Sequence, residues 1–277
     1  MLKTGDINRD NFTDIIHIGG TSDPGLFITY ALDANNFDLA TPCFNVPEAA
    51  MAVDFVNLDS LPDIITATAD SVFIFLNDGG TDCSMWSVIK LANPSPARSR
   101  MAASTIPSIS TGYFNKDNKL DFFISPSAII YGDGAGGADS TITVPNVVLS
   151  VINGDFNNDG HEDLLTVEAD SIKLLLNDSA GTGTYSASAA LFIDTGAVSA
   201  PIDNAVADLD RDCNNDFVVI TPNVDSTGLS ILNIGYGDGL GAFAQVDTFM
   251  INGVVRDILI SVYVFRQSGQ VELKSKS

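Results

Sequence analysis

The chain has 277 residues, 45% of them hydrophobic and 17% charged; this is enough apolar material for one large domain or two small ones, and its apolar runs argue against disorder. Thirteen Lys and Arg against 35 Asp and Glu leave a net charge of −22, which repels nucleic acid and anionic membranes and excludes both as default partners. No stretch approaches the roughly 20 apolar residues of a membrane span, so direct membrane insertion is excluded, and residues 1–16 carry no signal-peptide pattern, so any export signal was removed or lies outside this sequence.

The first element is a loop, GDINRDNFTDII (5–16), with Asp6, Asn8, Asp10 and Asp14 at relative positions 1, 3, 5 and 9. A strand-like run, DIIHI, follows at once, and YALDANNF (30–37) reads as a turn. The second copy, VDFVNLDSLPDII (53–65), keeps Asn57, Asp59 and Asp63, has Asp54 one residue out of step, and leads through DIITAT to the turn FLNDGG (75–80). The third, GYFNKDNKLDFF (112–123), keeps Asn115, Asp117 and Asp121 but has Tyr113 at the first position; DFFIS and the turn IYGDGAGG (130–137) follow. The fourth, GDFNNDGHEDLL (154–165), has Asp155, Asn157, Asp159 and Asp163, then DLLTV and LLNDSAGTG (175–183). The fifth, ADLDRDCNNDFVV (207–219), has Asp208, Asp210, Asp212 and Asp216, then DFVVI and IGYGDGLGAF (234–243). A worn sixth copy, GVVRDILI (253–260), keeps only the closing Asp257.

The closing aspartates are separated by 49, 58, 42, 53 and 41 residues, a spacing that marks a repeat architecture. Runs rich in β-branched and aromatic residues follow each loop, and segments such as MAV, VVLSVI and NAVA precede them, so each unit supplies four strands. No segment holds a helical period. The expectation is an all-β chain, a β-propeller of four-stranded blades over residues 1–265, with 266–277 as a C-terminal tail or last outer strand. Six detectable repeats predict six blades; a seven-bladed propeller lacking about 50 residues is the alternative.

Alternating acidic side chains in a tight loop bring several hard oxygens to one point, which suits calcium with its six to eight oxygen ligands better than magnesium with its strict octahedron. Position 6 needs a backbone that tolerates positive φ, and it holds Gly160, Asn11 and Asn118. An EF-hand would require a bidentate Glu at position 12 and flanking helices; His17, Thr166 and Val219 stand there, inside strand-like runs. Asp and Asn also form plain turns, but three complete copies at blade spacing favour an ion. Its first role is a staple at the root of a blade, holding together carboxylates that otherwise repel.

This pattern resembles the FG-GAP or VCBS repeat of integrin-α-like β-propellers. The likeness rests on the D-x-[DN]-x-D-x-x-x-D loops at 6–14, 155–163 and 208–216 and on turns such as YGDGLGAF (236–243). In that family the loop joins the first two strands of a blade and binds calcium through side chains at positions 1, 3, 5 and 9 and the backbone carbonyl at position 7. The resemblance thus implicates Asp6, Asn8, Asp10, Phe12 and Asp14; Asp155, Asn157, Asp159, His161 and Asp163; and Asp208, Asp210, Asp212, Asn214 and Asp216. The second and third loops depart from it and offer Asn57, Asp59 and Asp63, and Asn115, Asp117 and Asp121. About three calcium ions are expected, and at most five.

Other motifs carry less. GDGAGG (132–137) matches a dinucleotide-binding glycine pattern, but no helix opens after it. IDTGA (193–197) has no second copy, as an aspartic protease would need. His161 sits at loop position 7 with its ring expected in solvent, and His17 lies on a strand; with so few basic groups, acid–base catalysis has little to work with. Trp86 reads as a packed inter-strand residue, and Asn11–Phe12–Thr13 and Asn177–Asp178–Ser179 are formal glycosylation sequons. Of Cys43, Cys83 and Cys213, the first two can bridge in an oxidising compartment or stay as buried thiols. The functional expectation is a non-enzymatic, extracellular module that binds a protein or glycan, the resemblance placing recognition on the loops opposite the metal face. A purely structural module of a larger surface protein and a carbohydrate-active enzyme are the alternatives.

Overall fold

The computed structural model describes residues 2–19, 25–38, 41–46, 49–80, 83–94, 108–144, 148–168, 171–178, 180–187, 191–192, 203–222 and 229–252. Among these, a single 3-10 turn at Cys83–Met85 is the one helical element; all other regular elements are strands. No helix of the described residues is long and apolar enough to cross a membrane.

The chain divides into two compact units, Met1–Tyr113 with Asp117–Val147, and Phe114–Lys116 with Val148–Ser277. The first unit carries three antiparallel sheets whose strands pair in chain order. They are β1 (Leu2–Gly5), β2 (Asp14–Gly19), β3 (Gly25–Thr29) and β4 (Thr41–Phe44); β5 (Ala50–Asp54), β6 (Asp63–Ala67), β7 (Ser71–Leu76) and β8 (Ser87–Ala92); and β9 (Ile109–Gly112), β10 (Asp121–Ile124), β11 (Ala128–Gly132) and β12 (Ala138–Thr143). The second unit carries two more. One comprises β13 (Ser150–Gly154), β14 (Asp163–Val167), β15 (Ser171–Asn177) and β16 (Tyr185–Ala187), with the short β17 (Leu191–Phe192) also paired to β15; the other comprises β18 (Asp203–Ala207), β19 (Asp216–Pro222), β20 (Leu229–Gly237) and β21 (Phe243–Asn252).

These are the four-stranded blades of a β-propeller, and there are five of them among the described residues, which overturns the expected six and the alternative seven. The reason lies at the C-terminal end. The outer strand β21 runs ten residues, to Asn252, where the sixth copy was expected to begin. Asp257, the last trace of that copy, lies outside the described residues, as do IDTGA and the tail at 266–277.

The run after each loop becomes the second strand of its blade because its residues are buried on both faces. Every residue of β6, β10 and β14 is buried, which explains why DIITA, DFFI and DLLTV read as continuous apolar runs headed by Asp. The outer strands β8 and β12 are largely exposed, and their sequences SVIKLA and ADSTIT are correspondingly polar. Core forms where blades face one another within a unit: Ile16, Ile28, Ile64 and Phe75 meet between the first two sheets, and Leu165, Leu174, Phe217 and Val219 between the last two. In the first unit, Cys43 on β4 and Cys83 form a disulfide across 40 residues of sequence, packed with Phe44, Phe75 and buried Trp86. Cys213 is free and exposed.

Candidate metal centres

Strand register sets the loops. Gly5 pairs with Asp14, Asp54 with Asp63, Gly112 with Asp121, Gly154 with Asp163 and Ala207 with Asp216, so all five loops have the same length between β-strands one and two of a blade. The second loop is therefore not slipped. Asp54 is the last residue of β5, and its carboxylate accepts from Phe55 N–H (2.9 Å) and from the Thr111 hydroxyl on β9 (2.6 Å). Position 1 of that loop is Phe55, as it is Tyr113 in the third.

The backbone separates the loops into two kinds. In the first, fourth and fifth, positions 4 and 6 both take positive φ: Arg9 and Asn11, Asn158 and Gly160, Arg211 and Cys213. In the second and third only position 6 does, at Ser60 and Asn118. The cause is the aspartate at position 1, whose two oxygens draw the chain into a double turn. Asp6 accepts from Asp10 N–H (3.1 Å) and Asn11 N–H (2.9 Å); Asp155 accepts from Asp159 N–H (3.1 Å) and Gly160 N–H (2.9 Å); Asp208 accepts from Asp212 N–H (3.1 Å) and Cys213 N–H (3.1 Å). Position 3 adds a second acceptor for the same N–H at Asn8, Asn157 and Asp210. Phe55 and Tyr113 cannot do this, and the second and third loops keep only the short turn in which Asp59 accepts from Leu61 N–H and Asp117 from Lys119 N–H.

Among the loops of the first kind, the carboxylate oxygens converge in the fifth. There Asp208, Asp210 and Asp216 each bring a carboxylate oxygen within 4.8 Å of the other two, the one such acidic cluster among the described residues. At an effective dielectric near 20, charges so spaced repel by roughly 3 kcal/mol per pair, less where water reaches them. A hard divalent cation relieves that repulsion, and an all-oxygen donor set suits calcium. Asp212, at position 5, is turned toward Asn214, taking its N–H (2.8 Å) and its amide (2.6 Å). In the first and fourth loops, Asn8 and Asn157 replace one carboxylate and donate to Asp10 (2.9 Å) and Asp159 (3.1 Å). Phe12 and His161 stand at position 7, donating their N–H groups to Asp10 and Asp159 (2.8 and 2.9 Å). His161 is not freely solvated: a Cβ on Gly181 would fall 2.7 Å from its Nδ1, so the ring lies against the turn of its own blade.

In the third loop a lysine supplies positive charge. The Lys119 ammonium lies 2.6 Å from Asp139 and 3.8 Å from Asp117. Asn57 in the second loop donates to Asp59 (2.8 Å), while its Oδ1 is buried without a partner.

The closing aspartate has a role that sequence reasoning missed. Asp14, Asp63, Asp121, Asp163 and Asp216 are all buried at the first residue of a second strand. One oxygen takes the N–H at the end of the third strand: Ala31, Asn77, Gly132, Asn177 and Gly237, at 2.8–2.9 Å. In four blades the other takes the N–H of position 2, at Ile7 (2.8 Å), Val56 (2.9 Å), Phe156 (3.0 Å) and Leu209 (2.7 Å). The position 2 side chains, Phe114 included, are buried in the core. This residue is thus a clamp between loop, second strand and third strand, with or without the other ligands. The legible signal was that aspartate persists there in every copy, even where the rest is lost. Asn77 and Asn177 add a second brace, donating their amides to Ile7 O (2.7 Å) and Pro62 O (3.1 Å), and to Phe114 O (3.0 Å) and Glu162 O (3.1 Å).

Burial pushes the Asp163 carboxyl up to about 6, and the charges of Asp159 and Asp155 add to the rise against hydrogen bonds from Asn177 and Phe156. Burial likewise raises Asp14, Asp63 and Asp216, with Asp10, Asp59 and Asp210 contributing repulsion.

Residues 155–219, which hold the fourth and fifth loops, match the FG-GAP-like repeat family. No curated protein sequence matches the chain. Among solved structures, the chain is similar to a lectin from Agrocybe aegerita described for specific recognition of non-reducing terminal N-acetylglucosamine (17% identity, TM-score 0.63, covering 90% of this chain and 65% of the lectin). It is also similar to the V. cholerae biofilm matrix protein Bap1 (16% identity, TM-score 0.53, covering 91% of this chain and 38% of that one). The chain thus spans less than two thirds of either structure, and at these identities the likeness is one of fold.

Proposed function

Since residues 155–219 match the FG-GAP-like repeat family and the described strands form four-stranded propeller blades, we propose that the chain is an FG-GAP/VCBS propeller serving as a non-enzymatic binding module, stapled by calcium and working outside the cell, that holds a glycan or protein partner. The observation that carries binding is a pair of aromatic residues standing where metal-type loops have their first aspartate. Phe55 and Tyr113 are 50% and 49% exposed, and Leu58, in the same loop as Phe55, is 76% exposed. The Thr111–Asp54 hydrogen bond joins the ends of β5 and β9, from which these two loops emerge. Exposed rings in loops that also carry Asn57, Asp59 and Asp117 offer an apolar face together with hydrogen-bonding groups, as a sugar or a protein anchor requires. The lectin and the matrix protein among its structural neighbours support the same reading. On this reading recognition lies on the loop side of the blades. The Cys43–Cys83 disulfide supports an oxidising compartment, and millimolar external calcium suits loops of modest affinity.

The test is a glycan array and a pull-down on extracellular matrix, run in about 1 mM calcium. The expected result is a defined glycan or matrix ligand whose binding falls about tenfold or more in F55A/Y113A while the thermal melt is unchanged. Binding that the double variant leaves intact would sink the assignment of these loops.

A further inference from the structure

Two of the three metal-type loops touch each other. Both lie in the second unit, and the contacts between them join ligand positions to the residues beside them. The Asn215 amide donates to the carbonyl of Asp155 at 2.8 Å, so the residue just before the closing Asp216 of the fifth loop grips the first ligand position of the fourth. The Asn158 amide donates to Asn214 Oδ1 at 2.8 Å, and the Asn214 amide continues to Asp212 Oδ2 at 2.6 Å. Gly241, in the turn of the fifth blade, donates its N–H to Phe156 O at 3.2 Å. Hydrogen bonds therefore run from positions 1 and 4 of the fourth loop to positions 5, 7 and 8 of the fifth, and from position 2 to the fifth blade's turn. The pair sits under the backbone of Gly239, where an added Cβ would lie 2.2 Å from Asn214 Oδ1 and 2.5 Å from Asn158 Nδ2.

Resting on the reading of these loops as calcium sites, we propose that the fourth and fifth loops bind their ions as a coupled pair, each occupied loop raising the affinity of the other. Asn158 holds φ at 57° only because Asp155 and Asn157 gather the turn around it, and that conformation carries its amide to the next blade. An ion in the fourth loop fixes Asp155 and Asn157, and with them Asn158, Asn214 and Asn215. The fifth loop then meets its ion already ordered, so the entropy of ordering the bridge is lost once for two ions. Binding free energies are reciprocal, so the effect runs equally in the other direction. The first loop is the internal contrast. Its position 4 residue, Arg9, donates through its guanidinium to Ser60 O of the second loop, which lacks the double turn.

The experiment is calorimetric calcium titration of the full chain. D6A first removes the first-loop site, leaving two. The expected isotherm is positively cooperative, and adding D208N lowers the affinity of the fourth loop at least about fivefold, with D155N doing the same to the fifth. N158G/N215A breaks the bridge without touching a ligand, and glycine keeps the positive φ that Asn158 adopts; this variant should still bind two ions, now independently. A melt in chelator that matches the parent shows that the variant folds. Two ions binding independently in the parent, or cooperativity that survives N158G/N215A, overturns the coupling while leaving the calcium assignment intact. Absence of calcium binding altogether removes the assignment itself, and the coupling with it.

Discussion

Asp63 separates the two jobs that its position combines. Its carboxylate takes N–H groups from Val56, Asn57 and Asn77 in a loop that has lost its first ligand. Replacing it with alanine strands buried donors, and Asp63→Ala should cost roughly 3–5 kcal/mol in denaturant unfolding, equally with calcium or chelator. Asp155→Asn should instead lower the melting temperature only when calcium is present. Asp163 gives a dependence on pH. Its folded pKa, about 6, exceeds the usual 3.8, so the ion-free folded chain binds more protons than the unfolded one. The stability this confers is complete below 3.8 and lost as pH rises through about 6. In chelator, the melting temperature should therefore rise as pH falls across that window, and in calcium it should fall, because protons then compete with the ion.

At the scale of the loop, two positive-φ residues mark an ion-type element and one marks a plain turn. Equilibrium dialysis should therefore count three calcium ions: D6A, D155N and D208N should each remove one, and N57A/D59A or N115A/D117A none. Much of this was legible. Ligand spacing located all five loops, and the run of apolar residues behind each closing aspartate located each second strand. What was hidden depended on pairing. Asp54 looked like a displaced ligand until register made it the last residue of β5 and put Phe55 at position 1. The apolar residue at position 2 looked like spacing, although its side chain anchors the loop in the core and its N–H meets the clamp. The sixth copy misled because a lone Asp heading the run DILIS resembles a blade start, whereas the described sheets number five.

For the molecule as a whole, the disulfide and the proposed calcium ions bear on an acidic chain in different ways. Three divalent ions would take the net charge from −22 to −16, easing self-repulsion that otherwise favours expansion. The disulfide constrains the unfolded chain between the first two blades instead. C43S/C83S should lose about 2–4 kcal/mol in denaturant melts whether or not calcium is present, so the two stabilisations should add.

The clamp aspartate has a consequence for how such a chain changes over generations. Where one residue holds loop and strands together by hydrogen bonds alone, a copy of the unit can shed its ion and still fold. Repeated blades are then free to differ at their remaining loop positions, as the second and third do with Phe55 and Tyr113 at position 1. On the proposed reading, a unit without an ion keeps its fold and frees its loop for a new surface.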